Sequence, residues 1–563
     1  MQAVRSPGQC DTNSQPSNKN IGTGNWRACA LILGTELSEC LAFAGIARNL
    51  VTYLTGVLHE SNAGAAAALS TWTGTCFLTP LVGAFLADSC WGRYKTIVVF
   101  LSVYTLMITL ALSASLPAVV SLAIRRAVAF LGLYLVALGV GGIKPCVSPF
   151  GAEQFDDAEP GERDAKASFF NWYYFCVNIG SMLASTVLVW VQDRVSWWLG
   201  FGIPAGVMTV ALAMFVSNKR LYRIQDQKKD PPRASPLTRA CQVAVAAVRK
   251  RGVELPAGDY SLLLLHDNNN NKLPSDDDQY SCYKIEHTDE FRFLDKAAVV
   301  IVSSSPGAMM MTTEAAAAAA ATESPWSLCT VTQVEEAKML LRLCSVWPTV
   351  VFFFAVTTQM SSTFLEQGAA MDNRVGPFAV PPATLSSAEV VAILLCVPAL
   401  EAVLLPLARR VTGTERGVTL LQRLGVGLAL ATLTMAYMAL LETKRLAAAA
   451  AAARVSIVWQ APAYFALGAA EVFTSVGLLE FFYDQAPDAM KSLCTAVSLV
   501  AVAAGNYLNS VIIAVVAWAT TWIPHDLNQG RLDCFFWMMA ALSGVNMLAF
   551  VWTSMRYNYR AKS

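Results

Sequence analysis

From Ala28 to Leu50 the chain reads A-C-A-L-I-L-G-T-E-L-S-E-C-L-A-F-A-G-I-A-R-N-L. A helix rises about 1.5 Å per residue, so this run spans the roughly 30 Å of a bilayer's hydrocarbon core. Lipid offers no hydrogen bonds to exposed backbone, and a helix is the one open-chain form that satisfies its own N–H and C=O groups. The stretch therefore predicts a transmembrane helix, yet it carries two carboxylates, Glu36 and Glu39. A charge at the membrane centre costs about 2.5 to 3.5 kcal/mol on insertion scales, so an acid that stands there needs a reason.

The rest of the chain repeats the pattern. Apolar runs near residues 28 to 50, 65 to 87, 96 to 120, 127 to 146, 168 to 191 and 197 to 217 precede a long polar middle. Runs near 338 to 363, 386 to 408, 417 to 441, 456 to 481, 493 to 520 and 533 to 555 follow it. The expectation is an all-α integral membrane protein of about twelve transmembrane helices. Its layout is a polar, disordered N-terminus (1–25), an N-terminal six-helix bundle (26–217), a linker (218–337), a C-terminal six-helix bundle (338–555) and a short tail (556–563). The first 25 residues hold no short apolar core of the secretory type, so insertion is expected to use the first helix itself.

Composition agrees: 55% of the 563 residues are hydrophobic and 14% charged, against about 25% charged in a soluble domain. Mean hydropathy is +0.45. A net charge of +1 and the absence of a basic stripe argue against nucleic acid as a partner. The cysteines form no C-x-x-C pair, and Cys76, Cys146, Cys176 and Cys396 fall inside apolar runs, where they read as small hydrophobic fillers, not metal ligands. Basic residues in the loops after the second and eighth helices (Arg93, Lys95; Arg409, Arg410, Arg416), in the linker and in the tail put both termini in the cytoplasm. Arg125, Arg126, Lys444 and Arg445 count the other way. The linker, with its Asn268 to Asn271 run and Ala315 to Ala321 tract, reads as solvated chain with some helix; a second tract, Ala447 to Ala453, is expected in a loop.

Four intramembrane charges stand out: Glu36, Glu39, Lys144 and Glu471. Glu36 and Glu39 share one face of the first helix at i and i+3. Two carboxylates that close in a low dielectric repel, and the cheapest relief is for one to hold a proton, which makes the pair a candidate proton site. Lys144, in Gly-Gly-Ile-Lys-Pro, is expected at the end of the fourth helix, with Pro145 marking a break and the glycines allowing close packing. Its ammonium suits an acid or a substrate anion. Glu471 lies mid-helix in the tenth run, whereas Glu480 is about 13 Å further along on the opposite face. The competing reading for each is an ion pair that only fixes packing, or a side chain snorkelling to the interface; that reading is preferred for Glu366, Glu401 and Glu480. The aromatic cluster Phe169, Phe170, Trp172, Tyr173, Tyr174 fits an interfacial belt, and Asn178, deeper in that helix, either faces the pathway or bonds a neighbouring helix.

The string D-S-C-W-G-R-Y-K (Asp88 to Lys95) resembles the major facilitator loop motif. G-G-I-K-P-C-V-S-P-F-G-A-E-Q-F-D-D (Gly141 to Asp157) and F-F-N-W-Y-Y-F-C-V-N-I-G-S (Phe169 to Ser181) resemble the two signatures of proton-dependent oligopeptide transporters. E-V-F-T-S-V-G-L-L-E-F-F-Y-D-Q-A-P-D (Glu471 to Asp488) is similar to helix ten of the plant nitrate and peptide transporter family, and G-I-A-R-N-L-V-T-Y-L-T (Gly45 to Thr55) is most similar to its di- and tripeptide branch. The resemblance implies a major facilitator fold, alternating access, proton symport with the proton as coupling ion, and no other cofactor. It places proton coupling at Glu36, Glu39 and Lys144, and substrate binding at Lys144, Asn178, Thr357 and Glu471, with Glu471 receiving a peptide ammonium.

The chain also departs from that pattern. Cys40 stands where the family's helix-one motif has arginine, and Phe43, Ala44 and Phe77 stand where peptide-binding relatives carry tyrosines. The resemblance then implies altered binding of a substrate carboxylate and a changed proton site. Thr357 replaces the histidine that binds the anion in nitrate-carrying relatives. The reading is a proton-linked symporter of small peptides in the plasma or vacuolar membrane. The alternatives are a carrier of nitrate or another small anion, and a uniporter or sensor that lost coupling with the arginine. No H-E-x-x-H, G-x-S-x-G or P-loop pattern supports an enzyme.

Overall fold

The computed structural model describes residues 26–87, 91–116, 120–155, 160–224, 236–252, 288, 290–299, 324, 326–413, 418–478, 481–482, 491–524 and 526–557. Among these, eleven helices are long and apolar enough to cross a membrane. In the N-terminal half they are helix one (Trp26–Ala47), two (Asn62–Leu86), three (Arg93–Ser115), four (Leu122–Ala152), five (Phe175–Arg194) and six (Trp197–Ser217). In the C-terminal half they are helix seven (Val331–Ala369), eight (Pro382–Ala399), nine (Leu420–Ala450), eleven (Val497–Ala519) and twelve (Leu532–Arg556). Helix ten is present as Ala461–Glu471 followed by a π turn, Val472–Val476, and stays helical at 477–478; residues 479 and 480 of its expected continuation lie outside the described residues. The all-α, two-bundle architecture expected from the apolar runs is the one observed.

Two cores result, one built on Ile32, Trp72, Tyr104, Val136 and Phe201, the other on Phe353, Leu424, Met435, Leu467 and Phe536. Large apolar side chains such as Phe85, Leu131, Leu433 and Trp518 remain exposed on the perimeter, as a lipid-facing surface requires. Helices two and eleven bring the bundles together: Thr71 Oγ1 lies 2.8 Å from Ser510 Oγ, Thr75 Oγ1 2.9 Å from Tyr507 Oη, and Asn509 donates to Ser70 Oγ at 2.9 Å. On the face opposite the chain termini, Asn62 donates to the Pro524 carbonyl at 3.1 Å, and Arg194 to that of Ala379 at 3.3 Å.

Helix ends differ from the apolar runs where capping outweighs hydropathy. Thr330 and Gln333 form a reciprocal capping box, as do Thr419 and Gln422, so helix seven starts at Val331 and helix nine at Leu420. Helix nine also runs on to Ala450, so much of the second alanine tract is helical instead of loop, as alanine's high helix propensity favours. Helix four continues through Pro145 and Pro149 to Ala152, which leaves Lys144 two turns from its end. The close approach expected of the glycines is there: a methyl group on Gly141 would sit 2.8 Å from Thr79 Cβ.

The linker is less solvated than its composition implied. Pro236–Arg249 packs Val243, Ala246 and Ala247 against Leu294, Ala297, Cys329 and Val334. Beside that core, Lys338 is fully buried and bonds Asp295 at 2.7 Å, Glu335 at 2.8 Å and the Thr288 carbonyl at 2.6 Å. The Asn268 to Asn271 run, the Ala315 to Ala321 tract and residues 1–25 lie outside the described residues.

Candidate functional site

Glu36 and Glu39 are buried in helix one, and the Lys144 ammonium stands 3.7 Å from Glu39 Oε1, a distance too long for a hydrogen bond. The ammonium is instead covered by two arenes: it lies 4.5 Å from the Phe43 ring centre and 5.6 Å from that of Phe77. Such a contact is worth about 0.5 to 2 kcal/mol, the upper end where water is excluded. Phe43 is itself held by stacking on Trp72, with ring centres 5.5 Å apart, and by the edge of Phe77 at 6.2 Å. Phe43 and Phe77 therefore hold the cation without offering it a hydroxyl. Ala44 is buried and adds no polar atom.

Cys40 is buried beside the two carboxylates. Its thiol donates weakly to Glu36 Oε1 at 3.7 Å and Glu39 Oε2 at 3.6 Å. Sulfur and oxygen atoms of Glu36, Glu39 and Cys40 lie within 4.8 Å of one another, a spacing a metal ion could bridge, and Lys144 already supplies a positive charge there. Tyr173 donates to Glu36 Oε1 at 2.8 Å, and Glu36 Oε2 has no hydrogen-bond partner among the described residues. The aromatic cluster of helix five thus divides: Trp172 is exposed as a membrane belt requires, while Tyr173 turns inward onto the acid pair. The sequence reading missed Tyr173 because one belt accounted for the whole cluster.

Glu471 stands in the other bundle, at the residue before the π turn of helix ten; π turns inside α-helices recur at functional sites. The charged groups acting on it are Glu389 of helix eight, within hydrogen-bonding reach, and Arg48, from the end of helix one. Arg48 pairs with Glu389, so one ion pair ties the N-terminal bundle to the C-terminal one beside Glu471. Neither Arg48 nor Glu389 was singled out from sequence. The available signal was a lone cation and a lone acid at the ends of two apolar runs.

The remaining expected residues are placed more plainly. Asn178 is buried in helix five. Thr357 donates to the Phe354 carbonyl of its own helix at 3.1 Å, while the next residues bond helix eleven: Thr358 to Asn506 Oδ1 at 3.0 Å and Gln359 to Asn509 Oδ1 at 2.5 Å. Glu366 is buried with both carboxylate oxygens unpartnered. Glu480 lies outside the described residues.

A family profile described as the POT family matches residues 94–528. Two Arabidopsis thaliana proteins, "Protein NRT1/ PTR FAMILY 8.3" and "Protein NRT1/ PTR FAMILY 8.1", are 45% and 44% identical to this chain, covering 99% and 98% of it and 95% and 97% of themselves. A crystal structure of an auto-inhibited POT family peptide transporter superposes with a TM-score of 0.70 at 23% identity, over 95% of this chain and 99% of that one. A POT family transporter in complex with 5-aminolevulinic acid superposes with a TM-score of 0.64 at 14% identity, over 96% and 99%.

Proposed function

The chain belongs to the POT family of transporters, and on that premise we propose that it is a proton-coupled symporter of di- and tripeptides working by alternating access. It is an integral, multi-pass membrane transporter and not an enzyme. The observation that carries the finer reading is that half-buried groups of opposite charge stand in the two bundles: the Lys144 ammonium in one, the Glu471 carboxyl in the other. A zwitterion carries one charge at each end. Its carboxylate has a partner in Lys144, and its ammonium a partner in Glu471 once Arg48 and Glu389 part.

Coupling follows from competition for Lys144. Glu39 and a substrate carboxylate seek the same ammonium, so a proton on the Glu36–Glu39 pair releases Lys144 to the substrate. Tyr173 and Cys40 hold the pair in place during that exchange. Asn178 and Thr357 are assigned to the walls of the pathway. On this reading both termini and the linker face the cytoplasm and substrate enters from the other side, across a plasma or vacuolar membrane. Cys40 favours a second reading: without the motif arginine, the fold serves as a uniporter.

Uptake of labelled alanyl-alanine into vesicles at acid and neutral outside pH separates the two. Symport gives uptake that rises as outside pH falls; a pH-independent flux selects the uniporter. Glu471→Gln is expected to abolish uptake at unchanged surface level, and normal uptake in that variant would remove Glu471 from the substrate site.

A further inference from the structure

On the face opposite the termini a cavity of about 500 Å³ opens between the bundles, floored by Glu366 and walled by Thr52, Thr55 and Asn62 from one half and Arg445 and Asn528 from the other. Glu366 is 6% exposed, and neither carboxylate oxygen has a hydrogen-bond partner among the described residues. A buried, unpaired carboxylate is costly to keep charged, several kcal/mol in real proteins, so a carboxyl at the end of a cavity either takes up a proton or pairs with a cation that enters.

The other charges at the cavity do not supply it. Arg445 spends its guanidinium on Glu442, at 2.7 and 2.8 Å, and on Asn528 Oδ1 at 2.7 Å. Arg454 and Asp526 are exposed residues of opposite sign at the rim. Glu366 is therefore the titratable group that the other charges of the cavity leave free to take an incoming cation as its partner. Metal ions are disfavoured there, because Ca²⁺ takes six to eight oxygen ligands and Mg²⁺ an octahedron, whereas Glu366 is, among the described residues, the one carboxylate inside the rim, beside the hydroxyls of Thr52 and Thr55 and the methyl groups of Ala369 and Ala449. One carboxylate beside a wall of mixed hydroxyl, amide and methyl groups suits an ammonium that carries its own hydrocarbon and has N–H groups to spare for Thr52, Thr55 and Asn62.

We infer that this vestibule is a binding site for an organic ammonium group, with Glu366 as its counter-charge, which gathers the amino end of the substrate before it passes inward to Glu471. The gathering role rests on the peptide reading; the charge preference of the vestibule does not.

The test uses the full-length protein in lipid nanodiscs, which leave both faces open. Ala369→Cys places a thiol on the cavity wall, and its modification is timed with a trimethylammonioethyl and a sulfonatoethyl methanethiosulfonate, the parent protein serving as background. The cationic reagent is expected to gain about tenfold over the anionic one relative to a free thiol in solution, the size of effect that one nearby charge exerts in a partly screened site. Glu366→Gln collapses that preference and Glu366→Asp retains it. A preference unaltered by Glu366→Gln, or an introduced thiol that neither reagent reaches, overturns the inference. Alanyl-alanine slows the modification severalfold and N-acetyl-alanyl-alanine does not; equal protection by both overturns the ammonium assignment. Failure of the peptide reading shows separately, as no alanyl-alanine uptake with the charge preference intact.

Discussion

Two clusters in this molecule share a motif and differ in every consequence. In the C-terminal part of helix nine, Glu442 and Arg445, three residues apart, are buried and bonded through two short contacts, and Gln367 donates to Glu442 at 2.7 Å. In helix one, Glu36 and Glu39 are also three residues apart and buried, yet their cation stands off at 3.7 Å and Glu36 Oε2 has no hydrogen-bond partner. A fully satisfied buried pair is locked, since breaking it strands a charge. A half-satisfied one is held in place but ready to exchange partners. What separates scaffold from machinery is completeness of bonding, not burial or the presence of charge.

The sharpest way to break that contrast is to remove one partner from each cluster. Arg445→Leu leaves Glu442 buried without its cation and is expected to cost about 3 to 5 kcal/mol of stability, read as a fall in the thermal midpoint of the purified protein. Lys144→Gln is expected to leave that midpoint within a few degrees and to abolish peptide uptake. The reverse pattern, a stable Arg445→Leu or an unstable but active Lys144→Gln, would end the distinction. Next in size is Phe77→Leu, which removes one of the arenes over the ammonium. Losing about 1 kcal/mol of cation–π attraction lets Lys144 settle onto Glu39 and raises KM for alanyl-alanine about fivefold. Phe77→Tyr, which keeps the ring, is expected to preserve KM, and equal effects of the two would show that the ring face is not what matters.

Cys40→Arg tests whether the helix-one pair still handles protons. A permanent cation between the carboxylates is expected to steepen the dependence of uptake on outside pH, and an unchanged profile would detach the pair from coupling. The smallest effect lies outside the membrane. Burial pushes the Cys329 thiol up to about 11, whereas Cys241 is an exposed neighbour in the same layer. The thiolate is the reactive form, so iodoacetamide near neutral pH is expected to label Cys241 and spare Cys329, with Cys329 gaining reactivity only as pH approaches that value; peptide mapping by mass spectrometry reads both.

Much of this was legible in one dimension. Apolar runs of about 20 residues can only be membrane helices, because hydrocarbon gives the backbone no other partner, and their order around a polar middle sets two bundles. The charges Glu36, Glu39, Lys144 and Glu471 announced themselves because each is improbable where it stands. The capping boxes at Thr330 and Thr419 were also written in the sequence, although hydropathy hid them.

Other features existed only once the helices were packed. Arg126 and Arg445 seemed to count against the charge pattern of the loops, but Arg126 is engaged by Glu60 at 3.0 Å and Arg445 by Glu442, so each has a local partner. Phe43 and Phe77, which in sequence looked like lost hydroxyls, became the cover of an ammonium drawn from another helix. Arg48 found Glu389 across 341 positions of chain, and Tyr173 found Glu36 across 137. Hydropathy is a property each residue carries with it, so a linear reading recovers it. Partnership of charges depends on distances of a few ångströms between segments far apart in sequence, and only packing sets those.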